Sequence, residues 1–329
     1  MGAGNANIGH SEIELGQDCD TVILHAHDAH DAHDAQINEI MTTGSDCSQR
    51  FLFDALDVRG EAVRLNAALG EMLANQPYSE SIRQLLGEFA AAVVLISNNL
   101  KYTGRITLQA RSDSALTLAM VECTSERQIR GIARGNLDAE AQDPMTLLAG
   151  GQLALTIERE KGQQYQGIIA IEGFPLATAL ENYFAQSEQL GARFWLASNG
   201  TKSAGLMLQQ LPAQLTSGSE REEQWSTLCI LAETIRAEEL LSLTSEDLLY
   251  NLYPEERIKV YPPAPILFKC RCSRKRSADT IALLPVSEQA EILEEAGEIT
   301  LTCELCGATY RFDEVSLASA IGPENRTLH

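Results

Sequence analysis

The sequence predicts an α+β protein: an N-terminal core of antiparallel sheets with packed helices, then a helical linker, then a small C-terminal domain gathered round cysteines. Three observations carry this expectation. Apolar–polar alternation recurs at hairpin spacings through residues 105–209, with helix-periodic runs beside the strands rather than between every pair. Residues 215–265 abandon alternation for leucines at helical steps amid acidic side chains. Cys270, Cys272, Cys303 and Cys306 form two close pairs near the C-terminus. The expected segments are an N-terminal extension at 1–47, the core at 48–214, the linker at 215–265 and the cysteine domain at 266–329.

The extension is unlike the rest of the chain. His25-Ala26-His27-Asp28-Ala29-His30-Asp31-Ala32-His33-Asp34 is a His-Asp-Ala repeat, and five of the six histidines lie before residue 48. Histidine tracts can bind metals. Nothing flanking this one would fix a geometry, so a disordered low-complexity leader is expected, or residues ahead of the true start. Order is expected from Phe51-Leu52-Phe53 onward. After Arg59-Gly60-Glu61, the spacing of Val63, Leu65, Ala68, Leu69 and Met72 suits a helix that Pro77 ends. Ser79 is placed to cap the next helix, in which Ile82, Leu85, Leu86, Phe89, Val93, Ile96 and Leu100 recur at steps of three and four. Strands are expected at 105–110, 116–121 and 128–133, at Leu153-Leu155-Ile157, and at Ile169-Ile171 behind Tyr165-Gln166-Gly167. A helix over 176–189 should bury Leu180, Tyr183 and Phe184, and strands at 193–197 and 204–209 complete the core.

Thr216-Ser217-Gly218-Ser219 opens the linker. Between Glu220 and Glu256 stand ten acidic residues against two basic ones. Trp225, Leu228, Leu231, Ala232 and Ile235 follow helical steps, and Leu240, Leu241, Leu243, Leu248, Leu249 and Leu252 extend them. A helix apolar on one face and acidic on the other must dock on something. Like charges on its outer face weaken it by roughly a few tenths of a kcal/mol per i,i+4 pair. The pattern fits an ordinary surface helix and a releasable, marginally stable one equally.

The cysteines carry the most specific signal. Cys270 and Cys272 form C-x-C; thirty residues on, Cys303 and Cys306 form C-x-x-C. Two pairs of thiolates, each from one tight turn, are what a tetrahedral zinc ion takes. Four unrelated thiols, or two structural disulfides, are the plainer alternatives. The expected reading is a zinc-binding domain with one zinc per chain held by Cys270, Cys272, Cys303 and Cys306. The run from Lys269 to Arg276 places five basic residues in eight positions. These would offset the negative charge of a four-thiolate centre, or touch a nucleic acid as small zinc ribbons do. A short helix is expected from Ser287-Glu288-Gln289-Ala290 to just before Gly297. Ile299 and Leu301 lead into the second cysteine pair, and Tyr310 and Phe312 lead out. Gly307-Ala308-Thr309 after Cys306 reads as a turn into a strand, whereas a thioredoxin-type pair opens a helix. That favours metal binding over dithiol exchange.

Composition narrows the function. Hydrophobic residues at 44% and charged ones at 22% allow a sizeable core. A net charge of −21 argues against a nucleic-acid partner. No stretch has the apolar length of a membrane span, and the first residues lack the order of a signal peptide. Eight cysteines are too few for a secreted disulfide scaffold, so a cytoplasmic location is expected. No histidine lies between His33 and His329, and there is no P-loop or G-x-G-x-x-G. The folded region therefore lacks the usual general base and any Ser-His or Cys-His nucleophile, and no enzyme is expected. Cys123 and Cys229 read as buried small hydrophobes.

Phe268-Lys269-Cys270-x-Cys272-Ser273-Arg274, with Cys303-x-x-Cys306-Gly307 after it, resembles the zinc centre of the redox-regulated heat-shock chaperonins of 33 kDa. Leu56-Asp57-Val58-Arg59-Gly60-Glu61, Leu100-Lys101-Tyr102-x-Gly104, Arg130-Gly131-Ile132-Ala133-Arg134, Tyr165-Gln166-Gly167 and Tyr183-Phe184-x-x-Ser187-Glu188-Gln189-Leu190 are similar to that family's core. Glu233-Thr234-Ile235 and Glu238-Glu239-Leu240-Leu241 are similar to its linker. The extension has no counterpart, and Ser112-Asp113-Ser114 stands where the family has a Gly-Asp-Gly turn. The resemblance implies an ATP-independent holdase, inactive while reduced and zinc-bound. Oxidation would pair Cys270 with Cys272 and Cys303 with Cys306, release zinc, unfold the linker and expose surface that captures unfolding client proteins. It further implies hand-over to ATP-dependent foldases and a homodimer on oxidation. Two other classes stay open from the residues alone. A zinc-ribbon RNA-binding protein would show salt-sensitive RNA binding when reduced; a thiol-disulfide oxidoreductase would reduce insulin catalytically.

Overall fold

The computed structural model describes residues 22–24, 46–99, 103–161, 163–187 and 191–321. The His-Asp-Ala repeat at 25–34 and the quoted stretches at 100–102 and 188–190 lie outside the described residues. The architecture is α+β with antiparallel sheets. The first sheet contains β1 (Val22–Leu24), β2 (Cys47–Phe53), β3 (Val58–Leu65), β9 (Ala192–Ser198), β10 (Ser203–Gln210) and β11 (Ile258–Val260), in the order β1-β11-β2-β3-β10-β9. The two-residue β12 (Ala264–Pro265) also pairs with β2. The second sheet contains β4 (Gly104–Arg111), β5 (Leu116–Thr124), β6 (Gln128–Gly135), β7 (Gln152–Arg159), β8 (Tyr165–Ala170) and β13 (Leu267–Phe268), in the order β13-β6-β5-β4-β7-β8. Among the described strands, only β13 runs parallel to its neighbour.

The expected helix over 63–72 is corrected. Val58–Leu65 is a strand, and the helix α1 spans only Ala67–Leu73. Val63 and Leu65 sit two apart, the spacing of one strand face; the helical series starts only at Leu65, with Ala68, Leu69 and Met72. Eight-residue pairing with β10 and six-residue pairing with β2 decide for the strand. At Gly60 the Phe51 ring crosses so closely that an added Cβ would lie 2.0 Å from it. The helix starts where Asp46, from before β2, accepts from the backbone N–H groups of Asn66, Ala67 and Ala68 at 2.5, 3.1 and 3.1 Å.

Helix α2 (Glu80–Asn99) is the centre of the core. Every residue from Ala90 to Ile96 is buried, as expected for a helix apolar on all sides and packed between two sheets. Ser79 caps it with a hydroxyl 3.4 Å from the Ile82 N–H, and the Glu140 carboxylate takes the N–H groups of Glu80 and Ser81. In the β4–β5 hairpin, Ser112 Oγ donates to the Leu116 carbonyl at 2.7 Å and accepts from Ser114 N at 3.1 Å. The Ser112-Asp113-Ser114 turn thus closes through a serine hydroxyl. Helix α3 (Leu176–Ser187) buries Leu180 and Phe184 as expected, with Tyr183 half-buried over Gly167.

The outer face of the first sheet is covered by α4 (Gly218–Ala232), α5 (Ala237–Ser242) and α6 (Ser245–Leu252). The expected continuous helix is therefore broken into three. The Thr244 hydroxyl restarts the last by accepting from Asp247 N at 3.1 Å. Leu228, Ala232, Leu240, Leu248, Leu249 and Leu252 pack with Phe51, Phe53, Leu206 and Leu208 in one cluster. Leu231 and Ile230 instead face solvent. At its near end the covering segment is fixed by Asp57, which accepts from the N–H groups of Gln214 and Leu215 at 2.8 and 2.9 Å and pairs with Arg221.

Candidate metal centre

The C-terminal module comprises α7 (Arg274–Ile281), α8 (Val286–Ala296), the hairpin β14 (Ile299–Thr302) and β15 (Thr309–Phe312), and α9 (Glu314–Ile321). Helix α8 ends at Gly297 with φ of 74°, a left-handed position that glycine adopts without strain. The apolar centre is small: Ala278, Ile281, Ile299, Phe312 and Leu317 are its buried members. A core of that size leaves the fold dependent on something more.

That addition lies at the tips. The second cysteine pair occupies the β14–β15 turn, where Cys303 N donates to the Ala308 carbonyl at 2.9 Å and Gly307 N to the Cys303 carbonyl at 2.8 Å. Gly307 has φ of 68°, and its Cα lies against Asn75 of the core. The first pair follows β13 directly. The fold brings all four sulfurs of Cys270, Cys272, Cys303 and Cys306 within 4.8 Å of one another. The short approaches cross between pairs: Cys270 to Cys303 at 3.7 Å and Cys272 to Cys306 at 3.3 Å. Four sulfurs about 2.3 Å from one zinc ion would lie about 3.8 Å apart. The donor set and its spacing therefore fit a tetrahedral thiolate metal site, and the four cysteines could hold a metal ion. All are free thiols, well beyond disulfide length.

Sequence reasoning missed one group at the sulfurs. Tyr310 Oη donates to Cys272 Sγ at 3.1 Å. Burial pushes the Cys272 thiol up, but the Tyr310 hydrogen bond and the neighbouring cysteines outweigh it and bring it below its ordinary value. The same bond, made from the other side, pushes the Tyr310 phenol up to about 12. Burial raises Cys270 and Cys306. The only signal in the sequence was Tyr310's place in a strand leaving the cysteine turn.

The basic cluster does not act as expected. Arg274 stacks over the Phe312 ring at 4.3 Å, Lys275 pairs with Asp279 at 3.1 Å, and Arg276 donates to the Arg271 carbonyl at 2.8 Å. Arg271 reaches away from the sulfurs to Glu122 of β5. These cations hold the module together and seat it on the core. The second cysteine pair is seated by Glu304, which pairs with Arg134 and accepts from Gln76 Nε2 at 3.2 Å through its carbonyl. Glu122, Arg134, Gln76 and Asn75 gave no sign of this in the sequence. Cys123 and Cys229 are buried and lie apart from the centre, and burial pushes both thiols up to about 12.

Fold and site together define an α+β protein that carries a small four-thiol module on one of its sheets. A family profile described as "Hsp33 protein" matches residues 46–313. The 33 kDa chaperonin of Pseudomonas aeruginosa strain UCBPP-PA14 is 49% identical over 278 residues, covering 83% of this chain and 94% of that protein. The 33 kDa chaperonin of Pseudomonas savastanoi pv. phaseolicola is 46% identical over 281 residues, covering 83% and 93%. The crystal structure of a 33 kDa chaperonin, a heat shock protein 33 homolog from Thermotoga maritima, superposes with a TM-score of 0.72 at 20% identity, covering 84% of this chain and 97% of that one. The chain belongs to the Hsp33 family, and a chaperone function comes with that membership. No helix among the described residues is long and apolar enough to cross a membrane.

Proposed function

We propose that this chain is a redox-regulated, ATP-independent holdase, with 48–214 as its client-holding core, 215–265 as a releasable cover and 266–329 as the redox sensor. The observation that carries the reading is the gathering of four unbonded cysteine sulfurs within 4.8 Å on a module with only a small core of its own. Zinc held by Cys270, Cys272, Cys303 and Cys306 supplies folding free energy to such a module. Oxidation of the four thiols to Cys303–Cys306 and Cys270–Cys272 disulfides leaves no thiolate to hold it. The module then loosens and frees the connecting chain at β13, and helices α4–α6 leave the first sheet once their own leucine contacts open as well. Their departure uncovers Phe51, Phe53, Leu206 and Leu208, an apolar face suited to unfolded chains. Clients held there pass to ATP-dependent foldases, the oxidised protein pairs with a second copy, and the cytoplasm is its compartment. The test is light scattering from a heat-denatured client. Oxidised protein should suppress aggregation and reduced protein should not; equal activity of the two forms overturns the reading.

A further inference from the structure

Each cysteine pair encloses a residue that grips the core, and the two grips are unequal. Glu304, inside the second pair, meets Arg134 where both side chains are 58% exposed, so water screens the contact and it holds weakly. Arg271, inside the first pair, meets Glu122 where the arginine is 27% exposed and the carboxylate 5%. Its Nη2 lies 3.0 Å from Oε2 and 2.9 Å from Oε1. Arg271 is held through its backbone as well, since its carbonyl accepts from Arg276 at 2.8 Å. Just before it, Lys269 N donates to the Ile129 carbonyl at 3.1 Å.

We propose that Glu122 and Arg271 are positioning residues for the first thiol pair: their contact fixes the segment from Cys270 to Cys272 with its sulfurs turned toward the second pair, and it must open before a Cys270–Cys272 bond can close. The inference rests on the redox reading above. In the structure Cys270 faces Cys303 and Cys272 faces Cys306. Joining Cys270 to Cys272 must bring two sulfurs that lie within 4.8 Å down to about 2.0 Å, and the backbone that has to adjust for this carries Arg271. Glu122 is built to release it. Arg130 grips the same carboxylate through two bonds at 3.2 and 2.9 Å, and Arg105 stands 3.8 Å away. When Arg271 leaves, the core keeps a paired carboxylate rather than an orphaned charge, so the contact can open without unfolding the sheet.

The bond-forming step balances with hypochlorous acid as the added two-electron oxidant. One thiol sulfur takes the chlorine as water leaves. The other sulfur then displaces chloride, a proton is released, and the disulfide forms.

The experiment uses the full reduced, zinc-loaded chain under a fixed hypochlorous acid dose at moderate temperature, with both disulfides timed by mass spectrometry of alkylated peptides. Arg271→Gln should close Cys270–Cys272 about tenfold faster than the parent and leave Cys303–Cys306 timing unchanged. Arg271→Lys, which keeps the charge, should restore most of the delay. Glu122→Gln should also speed closure, and the Glu122→Gln, Arg271→Gln double variant should be no faster than Arg271→Gln alone. Closure of Cys270–Cys272 at the parental rate in Arg271→Gln, with Cys303–Cys306 forming normally, overturns the positioning role while leaving the redox reading intact. Absence of both disulfides in the parent overturns the redox reading and this inference with it.

Discussion

Leu249 tests whether helices α4–α6 are a cover held by apolar packing. The side chain is fully buried at the interface of α6 with the outer face of the first sheet. Leu249→Ala removes its outer carbons from a close-packed site and costs about 2–5 kcal/mol. Taking about 3 kcal/mol, the undocked population rises more than a hundredfold. The loss falls on docking, because Leu249 belongs to the cluster between helices and sheet and not to the one round α2. Hydrogen exchange should therefore speed by about that factor over residues 218–252 and stay near parental in α2. The reduced variant should then suppress client aggregation without oxidant. Equal acceleration in α2 would mean that the helices unfold only with the core. Selective undocking with no gain in client holding would remove the covered face as the client site.

Three further outcomes are expected. Cys303→Ser should lose most of its zinc, because one of four sulfurs within 4.8 Å is replaced by a poorer ligand; full retention by elemental analysis refutes the ligand set. Under mild oxidant, Cys303–Cys306 should close before Cys270–Cys272, since a C-x-x-C turn brings its Cα atoms within disulfide range more readily than a near-extended C-x-C; alkylation mass spectrometry showing the reverse order refutes it. Buried Glu61, which accepts from Asn98 Nδ2 at 3.0 Å, has its pKa raised from 4.5 to about 7, chiefly by desolvation, with Arg50 and Arg59 opposing. Between those values the folded state binds more protons, so Glu61's stabilising contribution is full below pH 4.5 and lost as pH rises through 7. Glu61→Gln should thus gain about 2–3 kcal/mol in urea denaturation at pH 8 and little at pH 4.5; equal gains at both would refute the shift.

The sequence made the strands of the second sheet legible because β4–β5, β5–β6 and β7–β8 are short hairpins, where local pattern and pairing agree. The four cysteines were legible as one group because two close pairs of thiols suit a tetrahedral metal site. The failures share one cause. Val63 and Leu65 follow strand spacing, but Leu65 also opens a helical series with Ala68, Leu69 and Met72, and the decision came from pairing with residues 203–210, far away in sequence. The cap on α1 comes from Asp46, twenty residues before it; on α2 the expected cap Ser79 is joined by Glu140, sixty residues on. Arg271 and Arg276 looked like a charge reservoir for the sulfurs because proximity in sequence was all that could be read. Their partners, Glu122 and the Arg271 carbonyl, are fixed by tertiary contact and local folding.

The covering helices and the thiol module do not share an apolar cluster: the one beneath the helices contains no residue beyond Val260 among those described. On the redox reading, a change at the cysteines would reach the helices through the connecting chain and not through a shared apolar cluster. That chain is sewn into both sheets. Leu267–Phe268 lies on the edge of the second sheet, where Leu267 and Lys269 donate to the Arg127 and Ile129 carbonyls, each at 3.1 Å. Ala264–Pro265 and Ile258–Val260 pair with β2, and β11 has β1 on its other side. A two-residue edge strand frays easily once Arg271 lets go, because few contacts hold it. Strand β11 does not, since Ile258 and Val260 are buried in the cluster beneath the helices. On the redox reading proposed above, oxidation at the cysteines would loosen the connection only as far as β13, and lifting the helices would require a second opening at β11 or at their leucine contacts. On that reading two barriers stand in series, one chemical and one conformational, so mild oxidant alone should activate poorly and oxidant with heat strongly in the light-scattering assay; equal activation with and without heat would refute the second barrier.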